Sequence, residues 1–209
     1  MNFQYKKQVL LYGASGHAKV ICSVLEANNI FIDAIFDDFN NQPFLSNYKI
    51  INKYNSNYRL DLPIIISIGN NKIRKNISKN IQHNFITVLH PSSITDKSVR
   101  IGYGCVAFHY SIIQRDTIIG NHCIINTNAS VDHECILNDF VHVGPSATLC
   151  GNVHVGEGTH IGAGATILEN IKIGKWCIIG AGAVITKDVP DYSLLVGIPG
   201  RIIKSFDNE

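Results

Sequence analysis

The 209-residue sequence predicts a small α/β domain with a mostly parallel sheet, followed by a parallel β-helix. Two observations predict this order. Short apolar runs alternate with helical patterns over residues 1–90, and an uninterrupted six-residue repeat occupies residues 101–190. We therefore divide the chain into an N-terminal domain (1–90), a β-helix (91–190) and a C-terminal tail (191–209).

The N-terminal domain is predicted from alternating strand and helix patterns. Apolar runs predict strands over 7–12, 31–36, 62–68 and 85–89, and apolar residues at helical spacing predict helices over 18–28 and 71–81. Ligands of open parallel sheets bind at the carboxyl ends of the strands. These ends carry Gly13–His17, Asp37–Asp38 and Gly69–Asn70, so we expect the binding site of this domain among them.

Two of these strand ends have side chains and amides suited to a polar ligand. Gly13, Ser15 and His17 lie in a turn before a helix, where backbone amides can face a phosphate. The complete G-x-G-x-x-G pattern is missing, and a plain tight turn is the alternative. Asp37 and Asp38 could accept hydrogen bonds from a base or a sugar, or could simply cap the following turn.

The β-helix is predicted from 15 consecutive hexads between Ile101 and Pro190. Every hexad begins with Ile, Leu or Val except the one at Ala107, and the fifth place is small or compact. Three hexads form one triangular coil, so 90 residues predict five coils, and residues 18 apart lie above one another. Places one and five point inward, whereas places three and six face outward or into a turn.

Composition narrows the functional class. The net charge is +2 with 16% charged residues, which is too weak for a nucleic-acid or anionic-membrane partner. We expect a cytoplasmic protein, because no apolar run is long enough to span a membrane and no signal cleavage site is present. Four of the six cysteines occupy fifth places and are predicted to be small buried residues. The sequence contains no CxxC pair, so we do not expect a cysteine zinc site.

The repeat places His133 beneath Gly151 and His142 beneath His160, with all three histidines at outward-facing places. An imidazole facing a groove is the usual general base near neutral pH, because its unperturbed pKa is about 6.5. Glu134 follows His133 directly and could orient its ring. The amide of Gly151 could then bind a developing oxyanion. The alternative is that His133 is a solvated turn residue. Asn126, near the same level, could orient a polar substrate group or stack with other turn asparagines.

Several motifs carry a resemblance over nearly the whole chain. They are Gly13-Ala-Ser-Gly-His17, Phe36-Asp-Asp38, Ile68-Gly-Asn-Asn71 with Ile73-Arg74, Asn126-Thr127, His133-Glu-Cys135 and Phe140-Val-His-Val143. Together they resemble the left-handed β-helix, hexapeptide-repeat acyltransferases. More narrowly, they resemble the bacterial nucleotide-sugar N-acetyltransferases that acetylate the 4-amino group of a dideoxy or trideoxy sugar for polysaccharide biosynthesis.

The resemblance implies a role for each matching residue. His133 would be the general base, Glu134 its orienting partner, and the Gly151 amide would face the thioester carbonyl. A Rossmann-like N-terminal domain would bind the nucleotide sugar through a set completed by Asn126 of the β-helix: Gly13, Ser15, His17, Asp37, Asp38, Gly69 and Asn126. Acetyl-CoA would lie in a groove between two β-helices of a homotrimer, against His142, Gly151, Ala163, Ala181 and Pro199. No metal is implied.

The expected reaction is direct acetyl transfer to the sugar amine, and four other functions are its alternatives. The first is O-acetylation of sialic acid or another sugar, since sialic acid O-acetyltransferases share the Gly-Ala-Ser-Gly-His start. The second is a catalytically silent trimeric sugar-binding scaffold. The third is a zinc β-helix carbonic anhydrase, which is disfavoured because no two histidines of the repeat are five residues apart. The fourth is a sugar-phosphate nucleotidyltransferase, which is disfavoured because no Gly-x-Gly-Thr-Arg start is present.

Overall fold

A computed structural model describes residues 7–40 and 42–206 of the chain. Its N-terminal part contains β1 (Gln8–Tyr12), α1 (Gly16–Ala27), β2 (Phe31–Phe36), β3 (Phe44–Leu45), β4 (Tyr48–Ile51), β5 (Ile64–Ile66) and α2 (Asn71–Ser78). These strands form one sheet in the order β3-β4-β2-β1-β5, parallel except for the β3–β4 hairpin. The predicted α/β class is confirmed. The hairpin was not predicted, because its two strands are too short to show a clear pattern.

The rest of the chain is a left-handed parallel β-helix with three faces, as predicted. The first face consists of Val88–Leu89, Val106–Ala107, Ile124–Ile125, His142–Val143, His160–Ile161, Ile178–Ile179, Ser193–Val196 and Arg201–Ser205. The second face consists of Ile94–Thr95, Ile112–Ile113, Ser130–Val131, Thr148–Leu149, Thr166–Ile167 and Val184–Ile185. The third consists of Arg100–Ile101, Ile118–Ile119, Ile136–Leu137, His154–Val155 and Lys172–Ile173.

The β-helix begins one coil earlier than the five-coil prediction. Val88 pairs with Val106, and Phe85 alone bridges back to Ile64 of the N-terminal sheet. The predicted strand over 85–89 is therefore split between the two sheets. The earlier coil escaped the pattern because Thr95, a polar residue, holds the place that aliphatic residues hold elsewhere in the repeat.

The turns of the β-helix repeat a left-handed backbone conformation at the fourth place of the hexads. Glu134 has a φ of 59° there, and its amide donates to the carbonyl of Arg115, 19 positions back in the previous coil. The first and fifth places fill the interior, and the four fifth-place cysteines are buried there as predicted: Cys105, Cys123, Cys135 and Cys177. Successive coils therefore stack in register, so the repeat fixes which turn residues meet.

The N-terminal domain covers the lower part of the first face. Ile21 and Leu25 of α1 share one apolar core with Val106, Phe108 and Ile124 of the β-helix. The C-terminal tail adds a hairpin to the upper end of the same face. None of the helices in 7–40 and 42–206 is long and apolar enough to cross a membrane.

Candidate active site

His133 lies at the edge between the second and third faces, in the turn between Ser130–Val131 and Ile136–Leu137. Its side chain is 57% exposed. The Nδ1 atom of His133 lies 3.0 Å from Oε2 of Glu134. A carboxylate only accepts hydrogen bonds, so Nδ1 carries the proton and donates. The lone pair of Nε2 is then available to take a proton from a substrate.

Gly151 lies directly against the His133 ring, in the coil above. A Cβ atom on Gly151 would come within 2.5 Å of Cε1 and 2.6 Å of Nε2 of His133, so only glycine leaves the ring in this position. The amide of Gly151 makes no hydrogen bond to any described residue. The contact predicted from the 18-residue period is therefore present. We call these three residues, His133, Glu134 and Gly151, the His133 edge.

The turn after β1 has the backbone of an anion site. Gly13 has a φ of 111°, and a Cβ there would meet Ile68 Cγ1 at 2.6 Å, so this position requires glycine. Ser15 is the exposed N-cap of α1, but its side chain makes no capping hydrogen bond. The amides of residues 16–18 consequently have no partner among the described residues. A Cβ on Gly16 would meet nothing within 4 Å, so the space beside this first residue of α1 is open.

The two aspartates at the end of β2 already have backbone partners. Asp37 accepts from the amide of Ala14 at 2.7 Å through one oxygen, and from the amides of Phe39 and Asn40 through the other. Asp38 accepts from the amide of Tyr54 at 3.0 Å. Asp37 thus ties the loop after β1 to the loop after β2. These contacts agree with the alternative that Asp37 and Asp38 cap the following turn. A ligand contact for either aspartate stays a prediction.

His142 is not the open groove residue that its outward-facing place predicted. It projects from the first face, but the N-terminal domain covers it and leaves it only 7% exposed. Nδ1 of His142 lies 3.3 Å from the Gly69 carbonyl, and Nε2 lies 3.0 Å from Nδ2 of Asn126. Burial, with the charges near it, lowers the pKa of His142 to about 3. The repeat correctly predicted that the His142 side chain points away from the interior of the β-helix, but it cannot show that another domain covers this face.

His17 lies beside His142, with ring centroids 6.1 Å apart. Its Nε2 is buried without a hydrogen-bond partner among the described residues. Burial, and secondarily the charge of Arg74, lowers the pKa of His17 to about 4. His17, Gly69, Asn126 and His142 therefore form one group of contacts between the two domains, which we call the His17 cluster.

A cavity of about 490 Å³ opens above this cluster, between the start of α2 and the upper coils. Gly69 and His142 are the predicted site residues that line it. Its aromatic and cationic lining was not predicted from the sequence and consists of Lys72, Trp176, Tyr192 and Phe206. Trp176 occupies a fourth place of the repeat, where size alone carries no functional signal, and Tyr192 lies beyond the repeat in the tail. His160, for which sequence gave no role, also lines this cavity.

The remaining predicted cofactor residues lie along the edge between the first and second faces or in the tail. Ala163 and Ala181 are exposed in successive turns of that edge, and their amides make no hydrogen bond to a described residue. Pro199 is exposed in the C-terminal hairpin. Small side chains with unpaired amides fit an extended amide-containing ligand such as pantetheine. Over residues 7–40 and 42–206, no group of three or more metal-ligating side chains is present.

One chain does not bring all predicted site residues together. The His133 edge lies opposite the first face, whereas the His17 cluster lies under the N-terminal domain on that face. Ala163 and Ala181 lie across the second face from Gly151. The predicted site residues therefore lie in separate groups, with the body of the prism between the His133 edge and the others.

The hexapeptide repeats of the β-helix place the protein in the class of the hexapeptide-repeat transferases. The model for "Bacterial transferase hexapeptide (six repeats)" matches residues 134–168 and 152–187. The model for "PglD N-terminal domain" matches residues 8–81.

Similar solved structures cover nearly the whole chain. PerB from Caulobacter crescentus, in complex with CoA and GDP-perosamine, is 32% identical with a TM-score of 0.88 and covers 94% of this chain and 97% of its own. The acetyltransferase domain of PglB from Neisseria gonorrhoeae, in complex with acetyl coenzyme A, is 30% identical with a TM-score of 0.87 and covers 95% of this chain and 100% of its own.

UDP-N-acetylbacillosamine N-acetyltransferase of Bacillus subtilis is 38% identical over 112 residues. That match includes 48% of this chain and only 50% of the length of the relative. The chain belongs to the acetyl-CoA-dependent nucleotide-sugar N-acetyltransferases of the left-handed β-helix class, which confirms the family predicted from sequence.

Proposed function

We propose that this protein transfers the acetyl group of acetyl-CoA to the 4-amino group of a nucleotide-linked dideoxy or trideoxy sugar, with His133 as general base. The observation that supports this most is the His133 edge, where a Glu134-oriented imidazole lies against an unpaired amide. The relatives in complex with CoA and GDP-perosamine or with acetyl coenzyme A support the two substrates.

The proposed reaction is one acyl transfer. The sugar amine attacks the thioester carbon, and His133 Nε2 takes the proton that the amine loses, while Glu134 stabilises the imidazolium. Negative charge on the thioester oxygen meets the Gly151 amide, and one such donor contributes about 3 kcal/mol to the barrier reduction. The C–S bond then breaks, and the CoA sulfur receives a proton from the imidazolium. The products are the acetamido sugar and free CoA.

The nucleotide sugar is proposed to bind at the N-terminal domain with its diphosphate against the unpaired amides that begin α1. Helix N-termini favour anions, because the first amides lack partners and the dipole is positive there. Gly13, Ser15 and His17 would surround the diphosphate, and Asn126 would contact the sugar. Asp37 and Asp38 would act mainly by holding the neighbouring loops, since Asp37 already accepts three backbone amides.

A homotrimer with sites between subunits is the proposed assembly. The sugar held over one first face cannot reach His133 of the same chain, because the prism separates them. A second copy would bring its first–second edge, with Asn126, Ala163 and Ala181, against the His133 edge of the first. Acetyl-CoA would then occupy the groove between the two prisms. It would approach His142 on the side where Asn126 contacts that ring, and it would contact Pro199 in the tail. We place this reaction in the cytoplasm, where acetyl-CoA and nucleotide sugars are made.

An activity screen tests the proposal. The purified protein is given acetyl-CoA with UDP-, dTDP- and GDP-linked 4-amino sugars, and thiol release is measured beside the mass of the sugar product. We expect a gain of one acetyl group on a 4-amino nucleotide sugar and none on its 4-hydroxy analogue. Acetylation of free sialic acid alone would favour the O-acetyltransferase alternative, and thiol release with no acceptor would contradict the proposal.

A further inference from the structure

Arg74 is the most deeply buried charged residue among those described, at 1% exposure. It belongs to α2 and has no carboxylate partner among the described residues. Burial lowers the pKa of Arg74 only to about 10, so the guanidinium remains charged at neutral pH. A buried cation without a counter-ion is costly unless its donors are all satisfied. The hydrogen-bond acceptors of Arg74 should therefore indicate the role of this residue.

The guanidinium spans both domains through carbonyl groups. Nε donates to the His122 carbonyl at 3.0 Å and Nη2 to the Phe140 carbonyl at 3.1 Å, both in turns of the β-helix. Nη1 donates to the carbonyls of Ile68 at 3.0 Å and Gly69 at 3.1 Å, in the loop before α2. Arg74 thus fixes that loop relative to the β-helix.

The Gly69 carbonyl passes this constraint to His142. It accepts from Arg74 with one lone pair, and Nδ1 of His142 lies 3.3 Å away. A carbonyl only accepts, so Nδ1 of His142 carries the ring proton. A neutral ring then has an unprotonated Nε2, which can only accept. For the neutral ring, the Gly69 carbonyl therefore determines which nitrogen of His142 carries the proton.

Asn126 is the last member of this chain of hydrogen bonds. Its Nδ2 lies 3.0 Å from His142 Nε2 and must donate to it, and its Oδ1 accepts from the Thr127 amide at 2.8 Å. Both ends of the carboxamide are thereby fixed. One hydrogen on Nδ2 has no partner among the described residues, and Asn126 is only half-buried at the first–second edge.

We propose that Arg74 is a positioning residue that acts through the Gly69 carbonyl and His142 to aim the free N–H of Asn126 at an acceptor oxygen of the bound substrate. The cation never touches the substrate. It holds His142 as the Nδ1–H tautomer, and this tautomer orients the amide. The substrate contact rests on the proposed function, whereas the tautomer of His142 does not.

The first experiment tests the hydrogen-bond chain without any substrate. Long-range ¹H–¹⁵N correlation spectra of the wild-type protein at pH 7 report which nitrogen of His142 carries the proton, with His142→Gln for assignment. We expect Nδ1–H in the wild type, and a mixed or Nε2–H signal in Arg74→Gln. A wild-type ring protonated on Nε2 would overturn the proposal whatever the enzyme acetylates.

The second experiment separates positioning from stability by steady-state kinetics. Arg74→Lys, which keeps the charge but loses the fork of donors, should lower kcat/KM for the nucleotide sugar about tenfold. Asn126→Ala should do the same, and the double variant should be no worse than Asn126→Ala, since residues acting through one another are not additive. Independent, additive losses would overturn the proposal.

Lys75→Ala is the matched control. Lys75 also ties α2 to the β-helix, through Glu157, but it touches neither Gly69 nor His142. We expect an unchanged kcat/KM in this variant, with at most a lower melting temperature. A loss equal to that of Arg74→Lys would show that any loosening of the joint has the same effect, and would contradict a specific path through His142.

Discussion

His133 and His142 lie nine residues apart on the same repeat, yet the fold gives them opposite environments. His133 is exposed at an edge with a carboxylate at 3.0 Å. His142 is buried beneath the N-terminal domain, against a carbonyl and an amide. The first arrangement suits a group that gains and loses a proton in each turnover. The second suits a group that stays neutral and holds its neighbours in place.

The difference shows that the repeat determines which way a side chain points, whereas the neighbouring domain determines whether that side chain is buried and what it contacts. Both histidines point outward from the prism, but the domain packed on the first face buries His142 and leaves His133 exposed. A comparison of the two positions therefore tests the account better than either histidine alone.

The largest expected effect is at His133. His133→Ala removes the proposed base and should lower kcat by about 100- to 10,000-fold, the usual contribution of general base catalysis. The fold should be unaffected, because the ring is exposed and Glu134 is its only side-chain partner among the described residues. His154→Ala, at a partly exposed position on the third face, is the matched control and should retain wild-type activity. Retention of more than about a tenth of kcat in His133→Ala would remove the base assignment.

A somewhat smaller effect is expected at Gly151. In Gly151→Ala the new methyl group would overlap the His133 ring, which must then move. The exposed ring can turn away, so the protein should fold normally while kcat falls about 100-fold, since small displacements of a catalytic group are costly. Kinetics and a melting curve measured together check this. Wild-type kcat with an unchanged melting temperature would show that the contact has no catalytic role.

The buried histidines should affect stability. Burial first, and Arg74 second, lowers the pKa of His17 and of His122 to about 4. The unfolded chain takes up protons near pH 6.5 while these folded rings do not, so stability should fall as the pH decreases from about 6.5 to 4. The neutral substitution His122→Phe, within a cluster of aromatic rings, should reduce the loss of melting temperature between pH 7 and 5. An identical loss in wild type and variant would contradict this origin.

The sequence predicted the β-helix and the contact of Gly151 with His133 because both follow from the period. Eighteen residues per coil place Gly151 above His133 and His160 above His142, and the structure contains both contacts. Nothing in the period indicates that α2 packs against the coils. The burial of His142 and of Arg74 was therefore not predictable from the spacing. The Ile73-Arg74 motif contributed to the family resemblance, but it did not indicate a structural role for Arg74.

The strand predicted at the domain junction was wrong for a similar reason, because the sequence pattern does not show which elements pack together. The strand predicted over 85–89 joins two sheets, because Phe85 still pairs with Ile64 while Val88 already belongs to the first coil. An apolar run carries no information about which partner strand it meets. The lining of the large cavity was missed for a related reason, since Trp176 and Phe206 converge only through the stacking of the tail on the upper coils.

The most direct test of the divided site mixes two chains that are inactive for different reasons. His133→Ala lacks the base. Gly16→Glu places a carboxylate in the open space before α1, where it should repel the diphosphate without disturbing the fold. The two are co-expressed with different tags, and mixed oligomers are purified on both. If each site takes its base from one subunit and its sugar pocket from the next, every mixed trimer contains one intact site of its three, so about a third of the sites are restored. We predict that level of wild-type activity, and mixed oligomers no more active than either variant alone would contradict a site shared between subunits.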